Sequence, residues 1–331
     1  MRTILITGSA GFIGTNLTRR FLDSGNRVIG IDNFSSSSQK KVNLFRDNTN
    51  YEFIEHNIVE DILPALSNSR MLKDENTIDE IYNLACPASP KIYINLSIET
   101  IKANVDGMFN ILEVAKKYNS KFLHSSTSEV YGDPLENPQK ESYRGNVNTV
   151  GPRSCYDEAK RISETICYEY KRLYGLDIKI CRIFNTYGPY MDVKDGRVIT
   201  NFIVLALQGK DLPLFDGGNQ TRSFQYVDDL LNAFEKFMAT DSDFMGPVNL
   251  GNENEFTVKE LGEIVLKKIK TSSKLVNEDQ EEGSPYQAKH DPQVRRPDIT
   301  LAREKLDWEP KVQLDEGLDK TIEYFRGELS M

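Results

Sequence analysis

The chain has 331 residues, 39% hydrophobic and 27% charged, which is enough apolar material to bury a core and too much for a disordered chain. Its net charge of -9 argues against general nucleic-acid binding, which needs a basic surface, so an anionic ligand has to be held by a few local arginines and by backbone amides. The four cysteines, Cys86, Cys155, Cys167 and Cys181, make no C-x-x-C pair and the three histidines, His56, His124 and His290, are scattered, which leaves no metal site in view and fits a reducing compartment.

Thr3-Ile4-Leu5-Ile6-Thr7 is a short apolar β run. Gly8-Ser9-Ala10-Gly11-Phe12-Ile13-Gly14 follows at once, then a helix carrying Leu17, Phe21 and Leu22 that stops at Gly25. Glycines at 8, 11 and 14 permit a tight turn and the close approach of a pyrophosphate to the amides at the helix start. A second strand, 27–31, ends at Asp32. An acid there accepts hydrogen bonds from adenosine ribose hydroxyls and repels a 2′-phosphate, which favours NAD over NADP. The glycine pattern is weak alone; strand, turn, helix, strand and acid together carry it.

Residues 35–41 read as a polar loop and 51–54 as the third strand, leading to His56-Asn57-Ile58, where a side-chain amide can meet the adenine edge. The stretch 64–77 is polar and reads as a surface insertion. Residues 79–85 form the fourth strand, ending at Cys86-Pro87-Ala88-Ser89-Pro90, on the sheet edge where ligands bind in parallel sheets. A helix follows with Ile98, Ile101, Val105, Leu112 and Ala115 in step, then a fifth strand at 121–125 and a sixth at 178–183. Strands alternating with helices predict an α/β fold with a doubly wound parallel sheet, the Rossmann arrangement.

Between the last two strands lie Ser126-Thr127-Ser128-Glu129-Val130-Tyr131-Gly132 and a helix opening on Ser154-Cys155-Tyr156-Asp157-Glu158-Ala159-Lys160 and stopping at Gly175. Tyr156 and Lys160 are four residues apart and share a helix face, so the ammonium can favour ionisation of the phenol. That spacing arises on any helix, and an exposed Tyr and Lys is the bland alternative. Glu129 likewise reads as a site carboxylate or as a solvated charge after a strand. Beyond Asn185 the elements shorten: turns at 186–189 and 195–197, helices near 200–208 and 227–238, and a Thr257-x-x-Glu260 capping box opening a helix to Ile269. An acidic loop at 278–282 and Val294-Arg295-Arg296-Pro297-Asp298 precede the final helices. The expected division is 1–185 for the dinucleotide and 186–331 for a smaller α/β substrate lobe laced back onto the sheet. The direct start on a strand and the lack of a membrane-length apolar run lead to the expectation of a cytoplasmic protein with no membrane partner.

The combination of Thr-Gly-x-x-Gly-x-x-Gly, Ser125-Ser126-Thr127-Ser128-Glu129-Val130-Tyr131-Gly132 and Tyr-x-x-x-Lys resembles the extended short-chain dehydrogenase/reductases that act on nucleotide sugars. The runs Cys86 through Pro90, Gly151-Pro152-Arg153-Ser154-Cys155-Tyr156-Asp157-Glu158, Arg182-Ile183-Phe184-Asn185-Thr186-Tyr187-Gly188-Pro189, Gln220-Thr221-Arg222-Ser223-Phe224 and Arg295-Arg296-Pro297-Asp298-Ile299 are most similar to the UDP-glucuronate decarboxylases within that group. The resemblance runs from residue 3 to about Phe325. It implies that Tyr156 takes the proton of the sugar C4 hydroxyl as NAD takes the C4 hydride. Lys160 lowers the pKa of that tyrosine and holds the nicotinamide ribose, and Thr127 bonds the C4 oxygen. Glu129, with Ser128 beside it, stands near C5, and Arg295 faces the C5 substituent. The expected NAD contacts are Gly8, Gly11, Phe12, Ile13 and Gly14 at the turn, Asp32, Asn33 and Ser35 after the second strand, and Asn57 and Ile58. Leu84, Ala85, Cys86 and Ser125 complete that set with Tyr156 and Lys160. Asn185, Arg197, Asn201, Arg222 and Arg295 are expected to hold the UDP-sugar.

The 4-ketone places the C5 carboxylate beta to a carbonyl, so carbon dioxide can leave; protonation at C5 and return of the hydride then give UDP-xylose. The similar 4,6-dehydratases carry an aspartate where this chain has Ser128. Water loss needs an acid there and decarboxylation does not, so Ser128 favours decarboxylation. Arg144 and Tyr190 stand where the family shows tryptophan and arginine, Asn57 where an aspartate is common, and the segment before Asp79 is longer. The Arg144 and Tyr190 departures keep a UDP-hexose or UDP-N-acetylhexosamine 4,6-dehydratase or 5,6-ene-forming enzyme as the alternative. A non-catalytic NAD-binding sensor is a third, since fold alone does not exclude it. In the resembling family the helices at 96–118 and 155–174 form a four-helix bundle between two copies, so a homodimer is expected.

Overall fold

The computed structural model describes residues 1–74, 76–278 and 294–330. Most of the acidic loop and His290 lie outside these residues. In chain order the first part comprises β1 (Thr3–Thr7), α1 (Phe12–Asp23), β2 (Arg27–Asp32), α2 (Gln39–Asn43), β3 (Tyr51–Glu55), α3 (Leu63–Ser67) and α4 (Arg70–Asp74). It continues with β4 (Glu80–Asn83), α5 (Pro90–Tyr93), α6 (Ser97–Tyr118), β5 (Lys121–Thr127), α7 (Ser154–Tyr174) and β6 (Ile178–Ile183).

The strands form one parallel sheet in the order Val248–Leu250, β6, β5, β4, β1, β2, β3. Its direction of winding reverses between β1 and β4, and ligands bind in the crevice at the carboxyl ends of such a pair. The strands are apolar because helices cover both faces. On one face α1 and Val227–Met238 sandwich Tyr82: the Phe21 and Phe234 rings lie 5.2 and 6.2 Å from its ring. On the other face Met108, Ile111, Leu112, Ile166 and Cys167 of α6 and α7 bury Leu5, Ile29, Ile81 and Phe122. Each fully buried aromatic or aliphatic side chain of this kind contributes about 1.5–3 kcal/mol.

The predicted strands, the glycine turn and both long helices are present, and β5 runs two residues further than expected, to Thr127. Helix α7 ends at Gly175, whose φ of 70° supplies the left-handed cap. The Thr257–Glu260 capping box is formed in both directions.

Three readings change. The stretch 64–77 is not simply a surface insertion: α3 and α4 place Leu66, Met71 and Leu72 in the same core as Leu5 and Ile81. Each helix has five residues, too few for a 3.6-residue period to declare itself. The Glu52 carboxylate accepts from the Ser69 hydroxyl and from the Arg70 and Met71 amides at 2.8–2.9 Å, satisfying donors that a helix start leaves open. The 35–41 loop closes into α2, which buries Lys41. The turn at 186–189 contains a bridge strand, Thr186–Tyr187, parallel to Gln225–Tyr226, and Val248–Leu250 joins the main sheet as a seventh strand. Two further strand pairs, Thr221–Ser223 with Glu255–Thr257 and Leu212–Leu214 with Leu275–Asn277, shape the segment beyond the sheet. Among the described residues no helix is long and apolar enough to cross a membrane.

Candidate active site

At the crevice, Gly8 adopts φ 69° and a Cβ on it would sit 2.9 Å from the backbone of Leu84 and Ala85. The Gly11 amide bonds the Gly8 carbonyl at 3.0 Å, closing the turn on which Phe12 and Ile13 begin α1. Among the described residues no side chain caps that helix start, which leaves its first amides for an anion. A Cβ on Gly14 would meet the Gly8 carbonyl oxygen at 2.2 Å. Asp32 is fixed by the Ala10 amide at 3.0 Å, the Phe34 amide at 2.9 Å and the Ser37 hydroxyl at 2.8 Å. A carboxylate has about four acceptor sites, so capacity for ribose hydroxyls remains.

Asn33 is exposed and its side chain accepts from the Ser35 amide; the Asn57 side chain accepts from the Val59 amide. Ile58 is buried under α6. The Leu84 and Ala85 amides bond the Thr7 hydroxyl at 3.2 and 3.3 Å, and Cys86 accepts from Asn104 at 3.0 Å. Burial pushes the Cys86 thiol up, which keeps it neutral. An open helix start, a cradle that admits no Cβ and an oriented carboxylate at the strand end fit a dinucleotide. Among the described residues no cluster of His, Cys, Asp and Glu could hold a metal.

The reactive residues converge where β5 ends and α7 begins. Thr127, Ser128 and Glu129 form a tight turn in which the Thr127 side chain accepts from the Glu129 amide. Tyr156 is 6% exposed and its ring stacks on Tyr93 with centroids 4.7 Å apart and planes 6° from parallel. Burial pushes the Tyr156 phenol up, the Cys86 thiol and the Glu129 and Asp157 carboxylates push the same way, and the nearby Thr127 hydroxyl pulls it down. The Lys160 ammonium donates to the Ser125 carbonyl at 2.8 Å and lies 5.9 Å from the Tyr156 ring centroid. Burial therefore outweighs the easing of ionisation expected from the Tyr-x-x-x-Lys spacing. The Ser125 hydroxyl is taken by the Asn83 carbonyl at 2.8 Å.

Glu129 is gripped twice. Arg295 contacts its two oxygens at 2.8 and 3.1 Å, and Arg153, just ahead of α7, bonds it as well. Glu129 is 9% exposed and Arg295 7%, so these are buried pairs in which one charge strongly needs the other. Beside them lies Asp157, whose Oδ1 has no hydrogen-bond partner among the described residues. Burial and the Glu129 charge push its carboxyl up to about 8, against the pull of Arg153 and Arg295. Sequence reasoning missed Arg153, Asp157 and Tyr93 as site residues. Arg153 and Asp157 flank Tyr156 within one motif, but nothing along the chain says that both face Glu129.

The lobe brings the remaining candidates from several turns. Arg197 pairs through both ends with Asp195 at 2.6 Å, and this outweighs burial to hold Asp195 below the usual carboxylate range. The Asn201 amide donates to the Gly196 carbonyl at 2.9 Å in the same turn. Asn185 receives the Gln225 amide at its carbonyl. Arg222 is buried, and its neighbour Ser223 donates to the Arg295 carbonyl at 3.3 Å, tying that strand to the Glu129 cluster. Of the departures that keep the alternative, Arg144 is exposed, and Tyr190 packs between Arg19 at 5.4 Å and the Tyr324 ring at 5.1 Å.

Residues 5–321 match the family described as GDP-mannose 4,6 dehydratase. UDP-glucuronic acid decarboxylase 1 of Arabidopsis thaliana is 45% identical over 326 residues, covering 98% of this chain and 70% of that one. Among solved structures, UDP-glucose 4-epimerase of Thermotoga maritima with UDP-glucose superposes with a TM-score of 0.85 at 30% identity and 99% coverage of both chains. UDP-glucuronic acid 4-epimerase of Bacillus cereus, in complex with UDP-glucuronic acid and NAD, gives 0.80 at 26% identity, covering 98% of this chain and 99% of that one.

Proposed function

The chain belongs to the GDP-mannose 4,6 dehydratase family of extended short-chain dehydrogenase/reductases, and from that premise we propose that it decarboxylates UDP-glucuronate to UDP-xylose with NAD as its cofactor. The observation that carries this reading is the buried Glu129 carboxylate held by Arg153 and Arg295, one short turn from Thr127. A site that must handle a substrate carboxylate next to a reacting carbon needs this concentration of guanidinium charge.

Bound NAD supplies hydride acceptance at C4 of the sugar and its return at the end of the cycle. Tyr156 takes the C4 hydroxyl proton and Thr127 orients that oxygen. The Tyr156 phenol is held neutral by its buried setting, so it acts as a base only when positive charge is brought close; Lys160 is the chain's own source. With C4 a ketone, the bond from C5 to the carboxylate breaks, carbon dioxide leaves, and the electron pair enters the enolate. Glu129 and Ser128 stand for the C5 side, where the proton is added. Ser128 is a poor acid for expelling a hydroxyl, which speaks against water loss. Residues 1–185 would hold NAD through Gly8, Gly11, Phe12, Ile13, Gly14, Asp32 and their neighbours. Residues 186–331 would hold the nucleotide through Asn185, at their border, and Arg197, Asn201 and Arg222. Incubation with UDP-glucuronate should give a product lighter by carbon dioxide. Loss of water from an uncharged UDP-hexose, with UDP-glucuronate untouched, would sink the reading.

We also propose a homodimer formed by α6 and α7, working in the cytoplasm. Support for the dimer comes from Ile98, Ile101, Phe109, Tyr168, Leu173 and Tyr174 on these paired helices, all exposed at 40% or more. Four free cysteines fit a reducing compartment. Phe109→Glu should halve the mass seen by light scattering; an unchanged mass would remove this face as the interface.

A further inference from the structure

Arg295 sits on 294–298, a stretch with no helix or strand of its own, so its place against Glu129 has to be set by bonds from elsewhere. Asn249, wholly buried in the strand Val248–Leu250, supplies part of that setting. Its side-chain amide donates to the Gln139 carbonyl at 3.0 Å and to the Asp298 carbonyl at 3.1 Å. Gln139 runs beside the stretch. Its amide donates to the Arg296 carbonyl at 2.9 Å, its side-chain oxygen accepts from the Arg296 amide at 2.9 Å, and its carbonyl accepts from the Asp298 amide at 2.8 Å. On its other side, Asn249 Oδ1 accepts from the Tyr131 hydroxyl at 2.7 Å, and the buried Tyr131 lies two residues after Glu129. The same hydroxyl accepts from Arg182 at 3.0 Å. Arg182 is joined by two bonds, at 2.7 and 3.0 Å, to Glu164 of α7, which also takes the hydroxyl of Ser126, next to Thr127. A buried chain of paired polar groups is costly to build and is worth most where it fixes one arrangement.

We propose that Tyr131 and Asn249 are positioning residues for the C5 half of the reaction: the bond between their side chains sets the spacing of Glu129, just upstream of Tyr131, from Arg295, on the stretch that Asn249 holds. The C4 half is held separately, Tyr156 by its stack on Tyr93 and Lys160 by the Ser125 carbonyl. Tyr131→Phe opens the link by removing one oxygen. It leaves Arg182 on Glu164 and on the Glu141 carbonyl at 3.1 Å, so α7 and the end of β5 keep their tie. The inference rests on the decarboxylase reading and adds to it the residues that keep its two C5 groups in register.

Single turnovers separate the two halves. Oxidation at C4 forms NADH, and the forward reaction consumes it only after C5 has lost carbon dioxide and gained a proton. With NAD-loaded protein and UDP-glucuronate, followed by the absorbance of the reduced nicotinamide, Tyr131→Phe should form NADH within about twofold of the parent's rate and lose it about ten- to hundredfold more slowly. General destabilisation lowers the amount of active protein and leaves the ratio of the two rates unchanged. Equal slowing of both phases, slowing of the rise alone, or a trace like the parent's overturns the proposal and leaves the decarboxylase reading standing. Asn249→Ala should slow the decay at least as much. Adding Tyr131→Phe to it should slow the decay by no more than about twofold further, because the link is already open. Effects that multiply independently overturn the proposal as well. If Asn249→Ala does not fold, the Tyr131→Phe trace decides alone. A parent protein that makes no UDP-xylose removes both the proposal and the decarboxylase reading.

Discussion

Replacing Tyr156 with phenylalanine is expected to lower kcat at least a thousandfold, a loss of about 4 kcal/mol of transition-state stabilisation, while NAD stays bound. The change removes one oxygen and little else. Phenylalanine keeps the near-parallel stack on Tyr93 at 4.7 Å and the ring stays buried at a site 6% exposed, so packing has no reason to shift. Lys160 remains anchored on the Ser125 carbonyl. What disappears is the acceptor for the C4 proton. Glu129 is a poor substitute, because it is committed to two arginines. The measurement is kcat beside cofactor content per chain. Turnover within tenfold of the parent would show that the phenol is not the base. Low cofactor content with turnover restored by added NAD would show that it is a cofactor contact first.

The parts of the molecule legible in the sequence are those whose signals are local. The run from Thr3 to Asp32 compresses an apolar strand, a glycine turn, a helix and a terminal acid into one stretch, and each constraint acts on near neighbours. The pairing of Tyr156 with Lys160 follows from helix geometry, because four residues return the chain to one face. The roles of Thr127, Glu129 and Arg295 came through resemblance, not spacing. What stayed hidden depends on distant segments meeting. Glu129, Arg153 with Asp157, and Arg295 come from three stretches, and Arg295 is 166 residues beyond Glu129. No period or motif encodes that meeting. The same holds for Val248–Leu250: three residues cannot announce a strand, and only pairing with β6 makes them one. The core role of α3 and α4 escaped because two five-residue helices dilute their apolar residues among polar ones.

Gly14→Ala should cost the protein its cofactor: NAD affinity is expected to fall at least a hundredfold, with about 3 kcal/mol of lost stability. The new methyl carbon would lie 2.2 Å from the Gly8 carbonyl oxygen and 2.7 Å from the Ser9 Cα. Both are backbone atoms, so no side-chain rotation relieves the clash. Relief requires moving α1 off the turn, and the turn is a linked set of bonds. The Gly11 amide holds the Gly8 carbonyl at 3.0 Å and the Ala10 amide holds Asp32 at 3.0 Å. Opening it therefore pulls the helix amides from the pyrophosphate position and releases the carboxylate meant for the ribose at the same time. Gly25 separates this effect from ordinary destabilisation. It closes the far end of α1 with φ 75°, and a Cβ on it would meet no described atom within 4 Å, so Gly25→Ala should cost only about 1 kcal/mol and leave NAD content unchanged. Thermal melts with and without added NAD distinguish the two: the shift produced by NAD should vanish in Gly14→Ala and persist in Gly25→Ala. An equal NAD-induced shift in both would mean that the pyrophosphate is not seated on the start of α1.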